Sequence, residues 1–300
     1  MQAIDNTMPI GFIGLGVMGR SMASRLMDAG HSLRVHTRSP SKSAALLQRG
    51  AVWGATPAAV AAETRAVITM LGFPEDVEAV YFGPGGLLDS AKPGTLLIDM
   101  TTTRPALSRR IQEEARKRGL QALDAPVSGG DVGAKEGKLS IMVGGEAEAF
   151  AAAAGLFQAM GARWVLQGGA GSGQRVKLCN QIAGFGSTLG ACEALSFAMS
   201  AGLDPNKVLE SIGAGAASSW ALANLAPRII RGDFDPGFFV RHFLKDIKLA
   251  LEEGEAMGAF TPGMTLAKEL YSSLERMGMG DKGTQALYLL LASAGSPQQA

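Results

Sequence analysis

The chain has 300 residues, 47% hydrophobic and 18% charged, which excludes a disordered polypeptide and allows two domains of ordinary size. Its 28 lysines and arginines are balanced by 27 aspartates and glutamates, so nothing electrostatic points to nucleic acid or an anionic membrane as a partner; a small metabolite fits better. The two cysteines, Cys179 and Cys192, share one apolar stretch without metal-ligand spacing and read as structural thiols of a reducing cytoplasm. The N-terminal MQAIDNTMP carries Asp5 and no basic run, which argues against a secretory signal and for a cytoplasmic location.

From Met8 to about Gly169, short apolar runs alternate with helical patterns. PIGFIG, LRVHT, AVITML, TLLIDM, LQALDAP, LSIMVGG and RWVLQG are expected strands, and their alternation with helices predicts a doubly wound, mostly parallel α/β sheet of the Rossmann kind. The first strand runs into GFIGLGVMG, which sets Gly14, Gly16 and Gly19 in GxGxxG spacing ahead of a helical pattern through Met18, Met22 and Leu26. Gly14 allows the tight turn, Gly16 leaves the backbone open to a pyrophosphate, and Gly19 lets helix pack on strand. The phosphates would meet the helix N-terminus, with Leu15, Val17 and Met18 in the same loop.

The second strand ends in the polar sequence TRSPSK, where an NAD enzyme usually carries an acidic residue for the ribose; no carboxylate is available there. Arg38 can pair with a 2′-phosphate, with Thr37, Ser39 and Lys42 as further donors, so NADP is expected and NAD is the second choice. A loop arginine on the surface is the alternative. The charged RPALSRRIQEEARKRG, 104–119, has Pro105 near its start and Gly119 at its end, and is expected to be a helix with a solvated face.

After QGGAGSG, 167–173, the pattern changes to long helical segments broken at GLDP, GDFDPG and TPG, with no convincing strand. This places a domain boundary between residues 169 and 170, with 1–169 as the nucleotide domain and 170–300 all-helical. The glycine stretch is expected to act as a hinge feeding one long helix. That helix approaches membrane-spanning length but carries Asn180, Gln181 and Glu193, and is expected to be a buried helix of a soluble protein. Gly186 and Gly190 in it suit close approach of another helix, within the chain or from another subunit. Lys177 and Asn180 are three apart and share a helical face, although a snorkelling surface lysine is the commoner meaning of such a residue.

Four stretches, GFIGLGVMG, DAPVSGG (124–130), GQRVKLCNQ (173–181) and LKDIKLAL (244–251), together resemble the β-hydroxyacid dehydrogenase family, the 3-hydroxyisobutyrate dehydrogenase-like group related to 6-phosphogluconate dehydrogenase. The likeness spans nearly the whole chain, with the motifs in family order. It implies a Rossmann domain followed by an all-α domain, an active site in the cleft between them, and a homodimer or homotetramer. It implies a substrate carboxylate bound at Ser128, Gly129 and Gly130, Thr102 near nicotinamide and substrate, and Leu71 on the adenosine side. It assigns general acid/base chemistry to Lys177, positioning to Asn180, the nicotinamide half of the cofactor to Lys245, the catalytic lysine or substrate to Asp246, and a pocket wall to Phe238 or Phe239. Where many relatives have a second asparagine, this chain has Gln181.

The chemistry suits those roles. Hydride transfer between an alcohol carbon and nicotinamide leaves a proton to be moved on oxygen, and a lysine can give or take it when burial or a neighbouring cation brings its pKa toward neutrality. The expected activity is an NADP-dependent interconversion of a small β-hydroxy acid and its semialdehyde or keto acid. An imine reductase shares the architecture but generally lacks the lysine, and a non-catalytic nucleotide-binding or oligomerisation module would tend to lose it. No metal site is expected, and His31, His36 and His242 show no triad or ligand spacing.

Overall fold

The computed structural model describes residues 2–295. Two compact units divide between Lys177 and Leu178, inside one helix.

The first unit is built on nine strands: β1 (Ile10–Ile13), β2 (Leu33–His36), β3 (Val52–Trp53), β4 (Ala66–Thr69), β5 (Leu96–Asp99), β6 (Gln121–Asp124), β7 (Val127–Ser128), β8 (Leu139–Gly145) and β9 (Gly161–Gly168). They run in the order β3-β2-β1-β4-β5-β6-β8-β7, with β9 paired to β8. The first six are parallel, β8 is antiparallel to β6 and β7, and β9 is parallel to β8, so the sheet is mixed at one end. All seven expected strands form. The two-residue β3 and β7 went unforeseen because so short a run shows no alternation.

Period-two alternation sorts side chains between the sheet's faces. Ile10, Phe12, Ile68 and Ile98 enter one core layer with Met22 and Leu26 of the helix Val17–Asp28. Ile13, Val67 and Leu97 enter the other with Tyr81, Leu107 and Ile111. Leu107 and Ile111 are the buried stripe of the helix Pro105–Lys117, whose charged face is solvated as its pattern predicts.

The second unit is helical. Its core gathers Phe185, Cys192 and Leu195 with Phe243, Ile247, Tyr271 and Leu274 of the helices Val240–Met257 and Pro262–Arg276. Tyr271 takes Phe243 and Phe185 edge-on at centroid separations of 5.0 and 6.2 Å, and its hydroxyl donates to the Thr284 carbonyl at 2.9 Å. The helices break where GLDP, GDFDPG and TPG stand.

The helix Ser172–Ser200, 29 residues long, differs from expectation. Only one face is buried. Cys179, Ile182, Ala183, Gly186, Gly190 and Phe197 lie exposed along the other, and by length and composition the helix is apolar enough to cross a membrane. A Cβ at Gly186 or Gly190 would meet nothing within 4 Å, so neither glycine serves a close contact inside the chain.

Candidate active site

In the first unit, the loops with Gly14–Gly19, Thr37–Ser39, Leu71 and Thr102 follow the carboxyl ends of the parallel strands β1, β2, β4 and β5, around the point where strand order reverses between β1 and β4. That crevice is where open α/β sheets bind ligands. Ser128–Gly130 instead follow β7, at one end of the sheet. Gly14 follows β1 with φ +97°, and a Cβ there would lie 2.2 Å from the Met70 carbonyl oxygen. At Gly19 a Cβ would lie 2.0 Å from the Gly14 carbonyl oxygen, so helix and turn touch main chain to main chain. Gly16 differs from both: it is exposed, and a Cβ there would enter open space. An open, side-chain-free surface at the N-terminus of the helix Val17–Asp28 fits a dinucleotide pyrophosphate. Leu15 is only 1% exposed and turned into the core, so its main chain alone faces the loop.

Leu71 flanks the same turn, its Cδ2 3.0 Å from the position of a Cβ on Gly14. Its N–H donates to the Thr101 hydroxyl at 2.9 Å. Among the three adjacent threonines, Thr101 and Thr103 are buried and Thr102 is half-buried, which makes Thr102 the one with a face to offer a ligand. Ser128 ends β7 and is followed by Gly129 and Gly130 at φ +134° and +63°. Side chains rarely adopt those angles, and the successive bare N–H groups form the kind of turn that cradles an anion. The helix Gly130–Glu136 that follows this turn packs on Val17–Asp28.

Beyond β2, Thr37 is buried and Arg38 and Ser39 are exposed. Here the expectation needs correction. A carboxylate is available: Asp76, in the first turn of the helix Pro74–Phe82, accepts from Arg38 Nη1 at 3.0 Å. It arrives from beyond β4, out of reach of any reading confined to the end of β2.

A buried polar network lies at the ends of β4, β5 and β6, where strand register sets Thr69, Asp99 and Asp124 side by side. Asp99 accepts from the Thr69 hydroxyl at 2.8 Å and the Thr101 N–H at 3.1 Å. Asp124 accepts from Gly171 N at 2.7 Å and Gln174 N at 2.9 Å, capping the helix Ser172–Ser200 from outside its own sequence. Gln174 then reaches back, donating to the Thr101 carbonyl at 2.8 Å and accepting from Thr103 N at 3.0 Å. The expected hinge is therefore pinned: a Cβ on Gly173 would lie 2.4 Å from the Met142 carbonyl oxygen. Lys177 stands on the same helix three residues after Gln174, on the buried side at 7% exposure.

Asp99 lies outside every motif, and Asp124 and Gln174 lie within DAPVSGG and GQRVKLCNQ without their partners being visible there. The available signal was that each aspartate ends an apolar run, TLLID and LQALD, at equivalent depth.

Burial pushes the Asp99 carboxyl up to about 6, against hydrogen bonds from Thr101 and Thr69 that lower it, with Asp124 raising it further. The unfolded value is near 3.9, so folding favours the protonated form; this contribution to stability is present below pH ~4 and is lost as pH rises through about 6, a span worth about 3 kcal/mol. Asp99→Asn is accordingly expected to flatten that part of the stability curve. Denaturant unfolding of both proteins at pH 4.5 and 7.5 checks it, and an unchanged pH difference would contradict the assignment.

In the second unit, Asn180 Nδ2 donates to Gln181 Oε1 at 2.8 Å, and Gln181 Nε2 donates to Asp246 Oδ2 at 2.6 Å. Asp246 is 1% exposed and has Lys245 Nζ 2.9 Å from its other oxygen. The longer side chain of Gln181 thus reaches a buried carboxylate while holding Asn180. Phe238 lies half-buried, its ring 5.7 Å from Phe243 and 6.5 Å from His242. Burial, then Lys245 and Arg241, hold His242 down at about 4, so it is neutral near pH 7 and suited to packing. Among the described residues no cluster of His, Cys, Asp or Glu could hold a metal ion.

Known proteins resemble the chain along nearly its whole length. Residues 9–169 match the NAD binding domain of 6-phosphogluconate dehydrogenase, and residues 171–291 match the NAD-binding domain of NADP-dependent 3-hydroxyisobutyrate dehydrogenase. The chain is 53% identical to the oxidoreductase YkwC of Bacillus subtilis, covering 94% of this chain and 98% of that protein. It is 38% identical to the 2-hydroxy-3-oxopropionate reductase of Escherichia coli, over 89% of this chain and 91% of the reductase. The solved structure of Mycobacterium tuberculosis 3-hydroxyisobutyrate dehydrogenase with L-serine superposes with a TM-score of 0.84 at 30% identity, covering 95% of this chain and 99% of that one. A Rossmann sheet, a helical second unit and these matches make the protein an NAD(P)-dependent oxidoreductase of the β-hydroxyacid dehydrogenase type. The chain belongs to the 3-hydroxyisobutyrate dehydrogenase and 6-phosphogluconate dehydrogenase-like superfamily of NAD(P)-binding oxidoreductases.

Proposed function

We propose that the protein uses NADP to interconvert a small β-hydroxy acid and its semialdehyde or keto acid, with residues 1–169 binding the dinucleotide and 170–300 serving the substrate and oligomerisation. The observation that carries this reading is Lys177, 7% exposed, on a helix whose first turn is fastened by Asp124 and Gln174 to the ends of β5 and β6, the strands that lead to Thr102 and Ser128. The dinucleotide, when bound, supplies or accepts the hydride. Lys177 gives the proton to the carbonyl oxygen on reduction and takes it from the hydroxyl on oxidation. Asn180, held by Gln181, orients that oxygen. Ser128, Gly129 and Gly130 take the carboxylate, and Asp246 and Phe238 serve the substrate side. Thr102 and Lys245 serve the nicotinamide half, Leu71 the adenosine side, and Arg38 with Thr37 and Ser39 the 2′-phosphate.

A carboxylate-bearing substrate is supported by the relatives. The E. coli protein is named for a hydroxy-oxo acid, and the M. tuberculosis structure holds L-serine, itself a β-hydroxy acid. Ser128→Ala is expected to raise KM for carboxylate substrates about tenfold, the size of one hydrogen bond to a charged group, with less effect on aldehydes lacking a carboxylate. Equal losses for both substrate types would contradict the cradle. A screen of the purified enzyme against 3-hydroxyisobutyrate, hydroxypropionate, tartronate and succinic semialdehydes, glyoxylate and serine, with both dinucleotides, tests the whole reading.

The proposed assembly is a homodimer or homotetramer. The exposed apolar face of the helix Ser172–Ser200, with Phe197 at 76% exposure, supports it. The proposed location is the cytoplasm: both thiols are free, and burial pushes that of Cys192 up to about 12, as suits a structural cysteine, while Cys179 is an exposed thiol of the kind a reducing compartment keeps.

A further inference from the structure

We infer that Asp76 is a specificity-determining residue that weakens the preference for NADP. The inference rests on the proposed role of Arg38 at a 2′-phosphate. β2 and β4 flank β1 in the sheet, so Arg38, after β2, and Asp76, after β4, pair across the carboxyl end of β1. That end carries Gly14, Gly16 and Gly19. The pair therefore stands at the adenosine side of the crevice that a dinucleotide would enter.

The two partners are unequal. The Arg38 side chain is 84% exposed and Asp76 only 23%, so the guanidinium is the movable partner. One Asp76 oxygen takes Arg38, and the other is buried with no hydrogen-bond partner among the described residues. A carboxylate so placed relies on its arginine for compensation, because desolvated charge is costly unless paired. An incoming 2′-phosphate must draw Arg38 away from Asp76, leaving that carboxylate undercompensated and close to a second anion. The unphosphorylated ribose of NAD makes no such demand. The pair thus presents the phosphate with a neutralised arginine in place of a free cation, and discrimination between the dinucleotides narrows.

The electrostatic cost is modest because Arg38 is largely in solvent, where an ion pair is worth little and salt screens it. Asp76→Asn is expected to raise the ratio of kcat/KM with NADPH to that with NADH by about three- to tenfold at low ionic strength, and less at high salt. Asp76→Ser, which keeps a hydroxyl acceptor in the first turn of its helix, should give the same direction and guards against misfolding of one variant. Arg38→Ala, alone and combined with Asp76→Asn, separates the two ideas. Loss of NADPH preference in Arg38→Ala, together with loss of the Asp76→Asn gain in that background, supports the inference. A ratio unchanged within twofold in both Asp76 variants, or a gain that persists without Arg38, overturns it. No effect of Arg38→Ala on NADPH use instead overturns the reading of Arg38 as the phosphate ligand.

Discussion

Replacing Lys177 with alanine is expected to lower kcat by about 100- to 10,000-fold, the range contributed by a positioned general acid or base. The dinucleotide should bind as before, because the loops around Gly14, Gly16 and Arg38 do not include the lysine. Steady-state rates with a β-hydroxy acid substrate, together with fluorescence titration of NADPH, check both parts. A fall in kcat below tenfold would remove Lys177 from the chemistry. A parallel loss of NADPH binding would instead mean that the side chain supports the fold, and a melting curve would show it. The rate should fall without a matching rise in KM, since proton transfer is made only on the way to the transition state.

The second large effect is expected at Asp124, which touches neither proposed ligand. Its two oxygens satisfy the N–H groups of Gly171 and Gln174 at the start of the long helix, at 2.7 and 2.9 Å, all in a buried setting. Hydrogen bonds to a charged acceptor are worth about 1.5–3 kcal/mol each, so Asp124→Ala should destabilise the first unit by about 3–5 kcal/mol. For a unit of this size, that is a fall in melting temperature on the order of 10 °C. Burial raises the Asp124 carboxyl above its usual range while the backbone donors pull it back, so the net gain lies at the lower end of that span. Asp124→Asn keeps one acceptor oxygen but points an amide N–H at a second donor, and should fall between alanine and the native residue. Because Gln174 and Lys177 share the helix that Asp124 caps, kcat should drop by more than tenfold even in samples shown to be folded by circular dichroism. Unaltered stability in the alanine variant would mean that other acceptors satisfy Gly171 and Gln174. Unaltered kcat with lowered stability would restrict Asp124 to holding the fold.

These residues mark the limit of sequence reading. Gly14, Gly16 and Gly19 are legible because their spacing is local, and the strand–turn–helix context sits within twenty residues. Asp124 could be quoted within DAPVSGG without its role being visible, since its partners lie 47 and 50 residues further on. The pairing of Arg38 with Asp76 spans 38 residues and depends on β1 lying between two strands that are not sequence neighbours. Gln181 shows the same limit from the other side. In the sequence it is only a departure from the asparagine of many relatives; in the structure it meets Asp246, 65 residues away, and holds Asn180 at once.

What this sequence determined by itself was what local periodicity and spacing can carry: the α/β order of the first half, the helical second half, the nucleotide loop and the lysine–asparagine face. What only the tertiary structure decided was which charges meet. Strand register set Asp99 beside Asp124, a distant carboxylate capped the helix of Lys177, and Asp76 came to neutralise the arginine expected to choose the cofactor. The physical reason is that backbone pattern follows from neighbours along the chain. Electrostatic partnership follows from proximity in space, and here strand order creates that proximity.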